Sequence, residues 1–277
     1  MFEPKITAII VLFNKDLDED SICIKIRDYA DVIVVDNSVL KNENRLFCEN
    51  HSIKYISMGG NKGLSKAYNT AINSVDGSDI IVLLDDDTDV SKDFFISLRK
   101  AIILNQDVDI FVPIIRGQDG VIYSPNNYNF LKNKLVSDPK KEIIQSRFNA
   151  ISSCMAIRTR VFENYRYNEK LFVDEIDHCF CREQRNKGRK FAVIDVEISQ
   201  NFHQRNDSIK PEAAWKRVKI RIVDIFRHAR IIGKKKYVLL AFIKSCGIGV
   251  QMGKKSRSVV VIMKIVGLSC KLFFIPN

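Results

Sequence analysis

A series of short apolar runs, each closed by polar or glycine-rich residues, constrains the fold of this chain more than any other feature. Four of them are Ile6–Phe13 (ITAIIVLF), Val32–Val35 (VIVV), Ile53–Met58 (IKYISM) and Asp79–Leu84 (DIIVLL). Strands with one solvated face alternate apolar and polar side chains. Near-continuous runs instead require cover on both faces, as in a parallel sheet. Helical spacing fills the gaps: Ile22, Ile26 and Tyr29 within Ser21–Tyr29, Ala67, Ala71 and Val75 within Leu64–Val75, then Phe94–Leu104. Asp109–Ile115 reads as a fifth strand. The expected architecture is therefore α/β and doubly wound, a mostly parallel sheet with helices on both faces.

Past Ile115 the pattern loosens. Residues 116–148 are rich in Asn, Lys, Gly and Pro and read as loop with short elements, where a substrate could enter. Asn149–Ile157 is expected as a strand, Glu175–Lys187 as a helix stopped by Gly188, and Phe191–Ile198 as the last strand of a body spanning 1–205. There is no internal repeat. Residues 206–277 hold 16 of the 44 Lys and Arg but only 3 of the 33 Asp and Glu, so the formal charge of +11 is concentrated there. Trp215, Val218, Ile222, Ile225, Ala229 and Ile232 share one helical face, and two further apolar stretches follow, Tyr237–Met252 and Val259–Ile275. Lysines interrupt both, so neither reads as a clean span; basic helices lying on an anionic membrane surface are the expectation, with no nucleic-acid partner. The seven cysteines are odd in number, irregularly spaced and lack a CxxC pair. They point away from a disulfide framework or zinc ribbon and toward a reducing cytoplasm. The apolar N-terminal run is cut short by Asn14, Lys15 and Asp16, and reads as a strand rather than a signal peptide.

In parallel α/β sheets, ligands bind beyond the carboxyl ends of the strands. Here those ends carry Asn14, then Asp36-Asn37-Ser38, then Gly59-Gly60-Asn61-Lys62-Gly63, then Asp85-Asp86-Asp87-Thr88-Asp89. Asn61, Lys62 and Gly63 open a helix, whose free N–H groups would attract phosphate or ribose. The aspartate run is the sharpest signal. Carboxylates this close repel one another unless a cation neutralises them, and carboxylates suit Mg²⁺ or Mn²⁺. An acidic loop that merely caps the next helix, through Asp89 or Ser91, is the alternative.

Taken in order, IIVLFN, VVDNS, NKGLSKAYNTAI, LLDDDTDV, SSCMAIR and LFVDEIDHCFCREQRNKG, spread over residues 6–203, make the chain resemble the family 2 glycosyltransferases of the GT-A fold. The branch it is similar to includes bacterial rhamnosyltransferases and galactofuranosyltransferases. The resemblance implies that Asp36 contacts the nucleotide base, that Asp85 contacts its ribose with Asp86 alongside, and that Asp87 binds the divalent metal. It implies a catalytic aspartate facing the acceptor at Asp177. The family's Glu-Asp pair reads Ile-Asp here, which leaves Asp174 and Glu175 as alternatives. His203 stands where many relatives place a metal or diphosphate ligand. Two positions depart from the family pattern: Glu183 replaces a common Arg, and Ser153-Cys154 a common Ser-Gly.

The function implied is inverting, metal-dependent transfer of a rhamnose, galactofuranose or hexose unit from a nucleoside-diphosphate sugar to a saccharide acceptor. A lipid-linked acceptor, bacterial surface polysaccharide synthesis (O-antigen or capsule) and a peripheral position at the inner face of the plasma membrane complete the expectation. Two other classes stand beside it. A haloacid-dehalogenase-like phosphatase also has Asp-x-Asp after an apolar strand, though usually after the first. A non-enzymatic membrane-binding protein would use the basic C-terminal region alone.

Overall fold

The computed structural model describes residues 3–200 and 210–275. The first half runs β1 (Ile6–Leu12), α1 (Ile22–Lys25), β2 (Asp31–Asp36), α2 (Asn44–Asn50), β3 (Lys54–Ser57), α3 (Leu64–Ile72), β4 (Ile80–Asp85), α4 (Lys92–Leu104) and β5 (Ile110–Gly117). There follow β6 (Ile122–Ser124), β7 (Asn126–Asn127), α5 (Pro139–Glu142), β8 (Phe148–Asn149), β9 (Met155–Arg158), α6 (Ile176–Asn186) and β10 (Phe191–Gln200). Three long helices close the chain: α7 (Pro211–Ile232), α8 (Lys235–Lys255) and α9 (Val259–Phe274).

The main sheet has the order β10-β5-β9-β4-β1-β2-β3, with β6 on β5. Its pairs are parallel except those of β9, which runs antiparallel between β4 and β5, and the β5–β6 hairpin. The near-continuous apolar runs are buried on both faces. Ile6, Ala8, Ile10 and Leu12 of β1 face a core completed by α1, α2 and α4; Ile9 faces the opposite core with α3 and α6. The chain steps from β1 to β2 and β3 on one side, then returns to lay β4 on the other. That reversal opens a crevice at the end of β1. Register fixes what lines it: Leu12 pairs with Asp36 and Val11 with Asp85, so the two acidic strand ends flank β1.

Some elements differ from the sequence reading. The helix expected over Ser21–Tyr29 is a single turn, though Ile22, Cys23 and Ile26 still reach the core. The sequence reading has no counterpart of α2, because it buries only Asn44 and Cys48 and so shows no apolar stripe. The strand expected over Asn149–Ile157 is broken. Phe148 and Asn149 pair with β7, the chain turns, and β9 starts at Met155. Cys154, at the turn, has φ +60°, the left-handed region where a glycine would sit without strain.

The stripe on α7 is buried as spaced, but against protein. Val218, Ile222, Ile225, Phe226 and Ala229 pack with Phe130, Ala241 of α8, and Val261 and Ile265 of α9. Helices α8 and α9 approach closely enough that a Cβ on Gly249 would lie 2.9 Å from Ile265, and one on Gly253 would collide with Ile262. Among the described residues, no helix is long and apolar enough to cross a membrane. All seven cysteines are free thiols.

Candidate active site

Asp36 ends β2 buried, its carboxylate accepting from Ser38 N (2.9 Å), the Tyr55 hydroxyl (3.0 Å) and Asn44 Nδ2 (3.3 Å). Burial alone would raise its pKa, but Ser38 and Tyr55 outweigh that and hold it below the usual carboxylate range. Asn14 Oδ1 accepts from Val39 N and Leu40 N, and so ties the end of β1 to the loop after β2. The glycine-rich turn is tied into the protein by its own backbone. Lys62 N donates to Asn37 Oδ1 (2.8 Å), Gly63 N to Asn61 Oδ1 (3.2 Å), and Leu64 N to the Phe172 carbonyl (2.6 Å). The N–H groups of residues 62–64 are therefore engaged within the protein. Gly63 is glycine for a packing reason: its φ is +90°, and a Cβ there would lie 2.7 Å from the Phe172 ring. The turn thus docks α3 against the loop before α6. The Lys62 side chain is exposed.

At the end of β4 the three aspartates separate. Asp85 and Asp87 border a cleft of about 550 Å³, whereas Asp86 turns away, with Lys15 Nζ 2.5 Å from its backbone oxygen and 3.9 Å from its carboxylate. Burial first, and the charge of Asp87 second, push the Asp85 carboxyl up to about 6. Gln200 Nε2 lies 3.3 Å from Asp85 Oδ2, while Gln200 Oε1 is buried without a partner among the described residues. Ser153 and Thr88 share a 2.9 Å hydrogen bond that joins the turn before β9 to the aspartate turn. Ser91 takes the N-cap position of α4, but no side chain caps that helix. The acidic turn is therefore no capping device.

The acidic segment before α6 also divides. Asp177, in the first turn of α6, borders the cleft with its side chain about one-fifth exposed; its Oδ1 accepts from His178 N at 2.7 Å. His178 Nδ1 lies 3.0 Å from Asn149 Oδ1. Asp174 and Glu175 also border the cleft, but their oxygens are engaged by the C-terminal helices. Arg217 of α7 grips Asp174 with both terminal nitrogens. Glu175, buried and left-handed (φ +63°), contacts His228 Nδ1 at 2.9 Å and Lys244 Nζ at 2.7 Å. Burial would raise its pKa, yet Lys244 and His228 hold it well below the carboxylate range. Asp224, fully buried on α7, accepts from the backbone N–H groups of Phe172, Val173 and Asp174 at 2.9–3.1 Å. The C-terminal helices thus hold the loop that leads into α6 and Asp177. Glu175→Ala strands Lys244 and His228 without their partner, so it should destabilise the fold by about 3 kcal/mol or more. Calorimetric melting measures this, and an unchanged midpoint would refute the structural role.

Sequence reasoning missed Asn44, Gln200, Arg217, Arg221 and Asp224. For Asp224 a signal exists: it is the sole acidic residue from 213 to 277. In the sequence Arg217 is one of the basic residues expected at a membrane surface, and only packing shows its target. His203 lies outside the described residues.

A mostly parallel sheet, one antiparallel strand beside the switch point, and an acidic strand end facing the cleft describe the GT-A architecture. The family model "Glycosyl transferase family 2" matches residues 9–166, more than half of the chain; the chain belongs to this family and is a glycosyltransferase. The phosphatase and non-enzymatic readings fall with that. The low-salt glycan biosynthesis hexosyltransferase Agl10 of Haloferax volcanii is 29% identical over 215 residues, 72% of this chain and 68% of that protein. The dTDP-rhamnosyl transferase RfbF of Shigella flexneri is 27% identical over 197 residues, 68% of this chain and 66% of that protein. The chain thus spans about two thirds of each relative. Among solved structures, GalNAc-T7 with UDP, GalNAc and Mn²⁺ superposes with a TM-score of 0.58 at 13% identity, over 79% of this chain and 47% of that one. S. aureus TarS 1-349 gives 0.53 at 12%, over 97% and 89%. These two likenesses carry the fold.

Proposed function

We propose that this glycosyltransferase moves a hexose-type sugar, such as rhamnose or galactofuranose, from a nucleoside diphosphate to a saccharide acceptor with inversion, assisted by a divalent cation. The observation that carries the reading is one cleft bordered by Asp85 and Asp87 from the end of β4 and Asp177 from the start of α6. A sugar hydroxyl is a poor nucleophile, and Asp177 is the carboxylate of its segment not engaged by a cation of the C-terminal helices. Asp177 takes the acceptor proton as general base, oriented by the His178 N–H. On the donor side, Asp36 and the Asn61–Gly63 turn shape the nucleotide pocket, and Asp85 faces the ribose. The donor set suits Mg²⁺ or Mn²⁺: two carboxylates beside the Gln200 amide oxygen, which is buried and without a partner among the described residues, all hard ligands. Among the described residues no group of three or more His, Cys, Asp or Glu could hold an ion by itself. Held by Asp87 beside Asp85, a divalent cation would supply Lewis-acid stabilisation of the departing diphosphate. Support for the donor class comes from TarS, solved with UDP and with UDP-GlcNAc, and from GalNAc-T7, solved with UDP and Mn²⁺. Incubation with a panel of nucleotide sugars, an acceptor saccharide, and Mg²⁺ or Mn²⁺ tests the reading by nucleotide release. Release from none of the panel would overturn it.

The acceptor is lipid-linked in this reading, in surface glycan assembly, with α8 and α9 resting on the membrane. What supports this is their outer surface. Leu239, Ile243, Val250, Val260, Met263 and Phe274 are 47–80% exposed. Residues 235–275 contain eight Lys and Arg and no acid. An apolar, basic and acid-free face suits an anionic lipid surface. Removing the C-terminal helices would release the loop before α6, so point substitutions are the right test. The protein should sediment with phosphatidylglycerol vesicles but not phosphatidylcholine vesicles, and Met263→Asp with Phe274→Asp should abolish that with catalysis on a soluble acceptor kept. Undiminished sedimentation of the double variant refutes this face.

A further inference from the structure

The cleft has two guanidinium groups on its border, Arg217 and Arg221, one helical turn apart on α7. Arg217 is neutralised by Asp174. The other cations that α7 and α8 bring to this loop are likewise paired, Arg227 with Asp224 and Lys244 with Glu175. Arg221 differs: it is half-buried, and it has no hydrogen bond or ion pair to any described residue. Its position is nonetheless fixed. Ile222 and Ile225 are fully buried in the C-terminal core, and Asp224 locks the same turn of helix to the backbone of residues 172–174. A partly desolvated guanidinium held without a partner is a preorganised site for an anion.

We infer that Arg221 is a phosphate-binding residue of this cleft, supplied by the C-terminal helices. A planar guanidinium binds phosphate oxygens in bidentate fashion, and this reaction has two sources of them: the diphosphate of the donor, and a phosphate that links a saccharide acceptor to its lipid. The inference rests on the nucleotide-sugar reading above and adds that α7 supplies a recognition group as well as a scaffold. Charge guides the choice of ligand. The cleft's carboxylates, Asp85, Asp87 and Asp177, disfavour an anion unless a cation receives it.

Calorimetric titration of the full chain with UDP and dTDP, against uridine and thymidine, forms the first arm. Arg221→Gln should lose about tenfold or more in affinity for the diphosphate and nothing for the nucleoside, with Arg221→Lys recovering part. The second arm compares the KM of a prenyl-diphosphate-linked saccharide with that of the same saccharide as an alkyl glycoside; a rise confined to the former assigns Arg221 to the acceptor. Melting temperatures should match the wild type, because Arg221 has no partner to lose among the described residues. A variant unchanged in both arms overturns the inference. A wild type that binds no nucleoside diphosphate instead overturns the donor reading beneath it.

Discussion

Replacing Asp177 with Asn is expected to lower kcat by about 10²–10⁴-fold while leaving nucleoside-diphosphate affinity unchanged. Asn keeps the volume and can still accept the His178 N–H, so the first turn of α6 stays intact. What it lacks is the ability to take a proton. The effect should therefore fall on kcat rather than on donor KM, as when an interaction made only in the transition state is removed. The same substitution at Asp174 or Glu175 should act differently. Those carboxylates hold Arg217, His228 and Lys244, so their loss should appear in melting temperature as well as in rate. A variant Asp177→Asn with wild-type kcat would remove this residue from the base role.

Asp87→Ala should reduce transfer by a factor on the order of 10³, and should also remove the stabilisation by Mn²⁺. The second effect has a pH signature. Asp85 has its folded-state pKa raised to about 6, so the fold favours its protonated form. Without an ion, stability falls as pH rises from the ordinary carboxylate range through that value. A divalent cation binds the ionised pair, so its benefit grows over the same window. The rise in melting temperature on adding Mn²⁺ should be larger at about pH 7.5 than at about pH 5, and absent in Asp87→Ala. Asp87 is exposed, and its removal relieves repulsion on Asp85, so the variant without metal should melt no lower than wild type. Retained, metal-dependent transfer in this variant would sink the assignment.

These predictions draw on two levels of information. The end of β4 is legible in sequence because a local pattern suffices: an apolar run buries a strand, and the residues that follow it must emerge at the sheet's carboxyl edge. The same holds for Asp36. The glycine-rich turn is legible as a turn but not in its role. What the sequence does not show is that the missing Cβ of Gly63 makes room for Phe172, more than a hundred residues away. The acidic segment from Asp174 to Asp177 is visible, yet nothing local distinguishes its three carboxylates. Their partners, Arg217, His228 and Lys244, lie on helices that sequence spacing assigns to a membrane-facing tail.

The sequence by itself determined the α/β class, the acidic strand ends and the family, because each follows from short-range pattern: strand burial, strand termination and ordered motifs. Tertiary structure decided which carboxylates are free. Asp85 and Asp87 face the cleft while Asp86 turns to Lys15, and Asp177 stays open while Asp174 and Glu175 bind the C-terminal helices. The reason is that a carboxylate's role depends on the charges within a few ångströms of it, and chain topology, not sequence distance, brings those charges there.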